Sequence, residues 1–390
     1  MSNEDPSTTL IHHPYRPPEG FEAPQVAVHK ASTVIFKNVA AMRARDWRLK
    51  TGYTYGLHGT PTTFILEERI AALEGGRHCV LVPSGLAAVA LVGQALLAAG
   101  DEVLLPANVY GPNREFARHE LARWGITHRL YDPLDAAAFD AAIGERTKLV
   151  WIEAPGSVTM EFPDLAGLVA AARRRGVTTA LDNTWGAGLA FCGFDAGIDI
   201  VMQALTKYPS GGGDVLMGSV ATRNDALHER IKLTHMHLGL GVAGNDAELV
   251  LRSLATLPLR YQAQDMAGRE VAAWLQAQPE VARVLHPAFE GSPGHGFWAA
   301  HCSQAAGLFS VLFDERFTQA QVDRFVDALK LFRIGYSWAG PTSLVVPYDL
   351  KAMRPGGPLR GHLVRFSIGL EAVVDLRADL EQALAAGFAA

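Results

Sequence analysis

The sequence predicts an α/β protein, with a large domain around a mostly parallel sheet and a smaller C-terminal α/β domain. Between residues 79 and 205, short apolar runs of strand length alternate with longer segments of helical period, the pattern of βαβ units. From residue 280 the alternation resumes at a smaller size. The chain has 390 residues and is 49% hydrophobic, more than one core organises, since single cores stop growing near roughly 250–300 residues. The expected division is an N-terminal arm (1–57), a large ligand-binding domain (58–250) and a small domain (251–390).

The arm contains Pro14, Pro17, Pro18 and Pro24 and little helical period, and 31–36 suits a short strand or an extended segment. Unable to bury itself alone, it is expected to lie against another domain or subunit. A turn-rich loop at 53–62 offers Thr60 and Thr62 as caps for the helix carried by Ile65, Leu66, Ile70, Ala71 and Leu73. Strands are expected at 79–82, 102–105, 128–131, 149–153, 178–181 and 199–204, and helices at 86–98, 113–124, 136–143 and 165–175. A flexible turn at 209–214 precedes a returning strand at 215–222, and 246–277 reads as one long helix broken by Pro258. The small domain is expected to have strands at 281–285, 307–313, 344–346 and 364–368, with helices at 319–329 and 376–386.

Composition excludes several classes of function. A formal net charge of -5 with scattered Lys and Arg provides no basic field for nucleic acid or an anionic membrane. Cys79, Cys192 and Cys302 are too few and too far apart for a disulfide framework or zinc site, and read as buried free thiols. The pairs His12-His13 and His235/His237 lack carboxylate or thiolate companions at ligand spacing, so no metal is expected. Glycines at 239, 241 and 244 match a dinucleotide pattern but follow a helix instead of a strand, which rules them out as a nucleotide site. The polar start, with Asn3, Glu4, Asp5 and Pro6, and the absence of any apolar run of membrane-spanning length predict a cytoplasmic protein acting on a small molecule.

The chemistry concentrates between Leu181 and Tyr208. Asp182 ends one apolar run, and Lys207 follows a second, twenty-five residues later. Residues at the carboxyl ends of adjacent strands face the crevice where open α/β sheets bind ligands. An amine and a carboxylate there suit pyridoxal 5'-phosphate, which needs a Schiff-base lysine and an acidic partner for its ring nitrogen. The bland alternative is a turn-capping Asp and a solvated Lys. Ser84 and Gly85 lie between a strand and an apolar helix, so the Gly85 and Leu86 amides either receive a phosphate or merely belong to a capped helix. Arg365, on an apolar strand, either binds a substrate carboxylate or pairs with an internal Asp or Glu.

The order of these pieces along nearly the whole chain resembles the Cys/Met-metabolism family of pyridoxal-phosphate enzymes, fold type I, and most closely its cystathionine β-lyase branch. The segments that carry the resemblance are 53–62, 83–89, 109–112, 153–160, 181–185, 203–208, 336–338 and 366–371. It implies that Lys207 is the Schiff-base lysine and proton carrier, Asp182 the ring-nitrogen partner and Tyr110 the ring stacked on the cofactor. Gly85, Leu86 and Thr206 then contact the phosphate, and Arg365, Ser337, Trp338 and Tyr110 face the substrate. Tyr55 is implied to reach the cofactor and catalytic centre of a neighbouring subunit, within a homotetramer built from active dimers. The implied reaction is β-elimination of L-cystathionine to homocysteine, pyruvate and ammonia, a step of methionine biosynthesis.

Two positions depart from the family pattern. Leu57 stands where relatives commonly carry a phosphate-binding Arg, leaving His58 as a speculative helper, and Ala204 stands where they often carry Ser. Within the family, the rival is γ-elimination or γ-replacement; cystine and other cysteine S-conjugates are rival β-lyase substrates. Pro112 after Tyr110-Gly111, and Trp338, resemble the β-lyase pattern. From another class, a non-catalytic α/β binding protein is opposed by the joint presence of Asp182, Lys207, Tyr110 and Arg365.

Overall fold

The computed structural model describes residues 5–48, 50, 52–354, 357 and 359–388; Asn3 and Glu4 of the polar start lie outside them. Two short helices, α1 (Pro6–Ile11) and α2 (Val39–Arg43), interrupt an otherwise extended arm. Then come α3 (Pro61–Glu74), β1 (His78–Val82), α4 (Gly85–Leu96), β2 (Glu102–Pro106), α5 (Gly111–Phe116), β3 (Thr127–Tyr131) and α6 (Ala136–Ala142). After these follow β4 (Thr147–Glu153), α7 (Leu165–Arg174), β5 (Thr178–Asp182), β6 (Ile200–Gln203) and β7 (Gly218–Thr222). The seven strands form one sheet in the order β1-β7-β6-β5-β4-β2-β3. β7 runs antiparallel to both its neighbours, and all other pairs are parallel.

Helices α8 (Asp225–Leu238), α9 (Gly244–Leu254) and α10 (Leu257–Gln276) lead to a second sheet. That sheet contains β8 (Val281–Leu285), β9 (Leu308–Phe313), β10 (Arg333–Ile334), β11 (Leu344–Tyr348) and β12 (His362–Ser367), in the order β10-β11-β12-β9-β8. Its helices are α11 (His295–His301), α12 (Gln319–Ala328), α13 (Leu350–Met353) and α14 (Val373–Phe388). The predicted fold class is the observed one, a large mainly parallel sheet and a smaller second sheet. Fully buried aromatics such as Phe309, Phe325 and Phe366 fill the small sheet's own core. Tyr208 ties the two sheets together, its hydroxyl accepting from Gly307 N at 2.9 Å.

Several expected elements differ in detail. Of the two forms expected for 31–36 the extended segment is the observed one, with Thr33 making a single isolated bridge to Tyr55. The 246–277 segment is two helices, with the break at Ala255-Thr256 and Pro258 in the first turn of α10, where proline is tolerated. The 113–124 helix starts at Gly111 and widens into a π-helical turn over Ala117–Leu121. Cys79 alone among the thiols is fully buried; Cys192 and Cys302 are half-buried. None of the described helices is long and apolar enough to cross a membrane, and no cluster of metal-ligating side chains occurs among the described residues.

Candidate active site

A cleft of about 740 Å³ opens at the carboxyl ends of β4, β5 and β6, roofed by residues of the second sheet. Glu153 and Asp182 end paired parallel strands, so both reach this cleft. Asp182 Oδ1 accepts from Thr184 N at 3.0 Å and from Thr184 Oγ1 at 2.5 Å. Thr184 Oγ1 in turn accepts from Ala204 N at 2.9 Å, fastening the end of β5 to that of β6. Burial raises the Asp182 pKa, while Thr184 and the Lys207 charge oppose the rise.

Lys207 also lines the cleft, and its Nζ donates to Ser337 Oγ at 2.7 Å. Burial first and the nearby Arg365 charge second lower its pKa to about 8, with Asp182 working the other way. The Trp338 ring centroid lies 5.6 Å from Nζ. Ser337 and Ala339, flanking Trp338, have φ of 91° and 67°, in the left-handed region that side chains rarely adopt. Arg365 Nη2 donating to Ser337 O at 3.0 Å and Ala339 N donating to Ser367 Oγ at 3.2 Å hold that backbone in place.

At the other end of the cleft, Ser84 caps α4 by accepting from Ala87 N at 3.0 Å. The Gly85 and Leu86 amides, in the first turn, have no intrahelical acceptor and border the cleft. A Cβ on Gly85 would sit 2.7 Å from Ala204 Cβ, so glycine is what lets this helix start approach the end of β6. Thr206, also expected at the phosphate, lines the cleft, but its hydroxyl donates to Met217 O at 3.2 Å and accepts from Met217 N at 3.1 Å.

Tyr110 borders the cleft, 42% exposed, with its backbone N donating to Glu153 Oε1 at 2.7 Å. Arg365 is 8% exposed; its hydrogen bond is to Ser337 O, and its Nε has no partner. Among the described residues it forms no internal ion pair, the alternative that the sequence left open, so this buried guanidinium keeps a donor for a ligand. The Tyr348 ring lies beneath it, 5.5 Å from Cζ.

The fold therefore gathers Lys207, Asp182, Gly85, Leu86, Thr206, Tyr110, Arg365, Ser337 and Trp338 around one cleft. Tyr55 is not brought there; it sits on the arm side, 48% exposed, with its ring 6.1 Å from that of His58. His58 also lies outside, its Nδ1 2.7 Å from Thr54 Oγ1. Burial and the nearby Lys232 charge lower the His58 pKa, so an uncharged imidazole is a poor substitute for the missing Arg at Leu57. Sequence reasoning assigned no role to Thr184, Glu153 or Tyr348. The Thr two positions after Asp182 was a readable local signal, whereas Tyr348 beside Arg365 depends on strand pairing that no spacing reveals.

The residues fit pyridoxal phosphate: an amine of lowered basicity, a buried carboxylate to accept from its ring nitrogen, free helix-start amides and an open buried guanidinium are the groups it requires. A family described as Cys/Met metabolism PLP-dependent enzyme matches residues 7–385. A putative cystathionine beta-lyase of Rhizobium johnstonii is 41% identical over 95% of this chain and 93% of its own. Cystathionine beta-lyase MetC of Escherichia coli K12 is 38% identical over 93% and 92%. Cystathionine gamma synthase from Xanthomonas oryzae pv. oryzae, solved with aminoacrylate and cysteine, superposes with a TM-score of 0.91 at 27% identity, covering 99% of both chains. With the match running through every segment that lines the cleft, the chain belongs to the Cys/Met metabolism family of pyridoxal-phosphate-dependent enzymes.

Proposed function

We propose that the protein is a carbon–sulfur lyase that cleaves L-cystathionine by β-elimination, giving homocysteine and, with uptake of one water, pyruvate and ammonia. The observation that carries this reading is the Lys207 amine, 2.7 Å from Ser337 Oγ and sharing one cleft with Asp182 and Arg365. Bound pyridoxal phosphate would supply an electron sink for the charge left at the substrate Cα. Lys207 would hold the cofactor in the resting enzyme, Asp182 would keep its ring nitrogen protonated, Tyr110 would pack on its ring, and the Gly85 and Leu86 amides would receive its phosphate. Arg365 pairs with the substrate α-carboxylate through its free donors, which fixes Cα within reach of Lys207. Its lowered pKa keeps a fraction of Lys207 as the free base near neutral pH, able to take the Cα proton. Lys207 then returns a proton to the sulfur leaving Cβ, while Ser337 steadies its swing.

The resemblance to β-lyases at 38–41% identity supports β-elimination. A second reading, γ-elimination or γ-replacement, is favoured by the close superposition on a cystathionine gamma synthase. Product identification separates them: pyruvate from L-cystathionine is expected, and 2-oxobutyrate would establish the γ reading instead. The Lys207→Ala variant is expected to lose the visible absorbance of the holoenzyme and at least about a thousandfold in turnover. Full activity in that variant would refute the assignment. We further propose a cytoplasmic homotetramer of active dimers, in which Tyr55 of one subunit serves the cleft of another.

A further inference from the structure

Asn183 directly follows Asp182, and Gln203 stands four positions before Lys207, yet neither borders the cleft. Both are 0% exposed, and both point their amide nitrogens at one carboxylate, that of Glu74 at the C-terminal end of α3. Asn183 Nδ2 donates to Glu74 Oε2 at 2.8 Å, and Gln203 Nε2 donates to Glu74 Oε1. Glu74 is 1% exposed and has no basic partner among the described residues. The arrangement leaves Asn183 Oδ1 and Gln203 Oε1 buried without partners. Two orphaned acceptors and a buried carboxyl are each destabilising, so general packing does not account for the cluster.

What the cluster does is mechanical. Glu74 grips β5 immediately after the ring-nitrogen carboxylate and β6 immediately before Ala204, whose N–H meets Thr184. The Glu74 carbonyl also accepts from Cys192 Sγ at 3.2 Å, fixing the end of α3 from the other side. At its opposite end α3 begins from Thr60, directly after the loop of Tyr55. One carboxylate thus links the two strands that present Asp182 and lead to Lys207 with the helix that carries the arm loop. We propose that Glu74 is a positioning residue, which sets the spacing of Asp182 and Lys207 for the cofactor by clamping Asn183 and Gln203. Burial, with a smaller push from Asp182 and against the two amide donors, raises its carboxyl to about 7, in keeping with a carboxylate held by amides alone.

The proposal rests on the assignment of Asp182 and Lys207 to the cofactor. Absorbance spectra of wild type and Lys207→Ala with added pyridoxal phosphate test that assignment first, independently of Glu74. The full-length Glu74→Gln variant is then titrated with pyridoxal phosphate. It is expected to bind about tenfold more weakly, with a shifted visible band, because the charged acceptor shared by both amides is gone and Gln203 keeps contact only by turning its amide over. The exchanged pair, Glu74→Gln with Gln203→Glu, restores both contacts in reverse order, Asn183 Nδ2 donating to the amide oxygen at position 74 and the amide nitrogen at 74 donating to the carboxylate at 203, and is expected to recover affinity to within about threefold, together with the wild-type band. Wild-type affinity and spectrum in Glu74→Gln would overturn the proposal. So would an exchanged pair that folds, by circular dichroism, but stays as weak as the single variant. If Glu74→Gln fails to fold, recovery in the exchanged pair still supports the clamp, and failure of both to fold makes Glu74 a folding determinant and overturns it.

Discussion

Lys207 and Arg365 are two cations facing one buried cleft, and the cost falls on the one able to lose its proton. An ordinary lysine near 10.5 is almost wholly protonated at neutral pH, whereas burial first and Arg365 second bring Lys207 to about 8. Only the unprotonated amine attacks an aldehyde. Attachment of pyridoxal phosphate to the apoprotein should therefore accelerate as pH rises through about 8 and level off above it. Stopped-flow absorbance across pH 6.5–10 checks this, and a midpoint near the ordinary lysine value would contradict it. Asp182 and Lys207 were legible in the sequence because each terminates an apolar run. Glu74 was not, since its partner Gln203 lies 129 positions away and nothing local marks a helix-ending Glu as buried.

Helix α4 brings the amides of the proposed phosphate site into the cleft by a tight approach. Gly85→Ala places a methyl 2.7 Å from Ala204 Cβ, and the helix start must retreat from β6. Such overpacking typically costs about 1–3 kcal/mol, here spent largely on the phosphate amides, so cofactor affinity should fall roughly five- to hundredfold. Equilibrium dialysis measures it, and an unchanged dissociation constant would remove Gly85 from the phosphate contacts. The strands and helices of the large sheet were readable because buried parallel strands are short continuous apolar runs between amphipathic helices. Readability failed where tertiary contacts decide. Helix α11 contains His295, His301 and Trp298 without a clean period, and the two-residue β10 exists only because β11 lies beside it.

Viewed as a whole, the subunit holds every expected cleft residue except Tyr55, which projects from the arm with Ile35 and Val39 exposed nearby. Those exposed apolar groups suit the proposed contact with a second subunit. Leu57 belongs to the same loop and packs toward Gly241 instead of carrying a charge. If that loop serves a neighbour's phosphate, Leu57→Arg should tighten pyridoxal phosphate by about tenfold through a charge-assisted pair, read as a lower dissociation constant. No tightening would argue against the loop's reach.

The reversed strand β7 has a consequence for how the protein is made. It alone lies between β1 and β6, and its first residue, Gly218, closes against Ser84, where a Cβ would meet the Ser84 carbonyl oxygen at 2.4 Å. During synthesis Ser84, Gly85 and Leu86 leave the ribosome long before the strand that walls them in. A nascent chain that ends before β7 has β1 unpaired and the Gly85 and Leu86 amides without their surroundings. Closure of the wall around these amides, and with it cofactor capture there, thus waits until β7 has emerged.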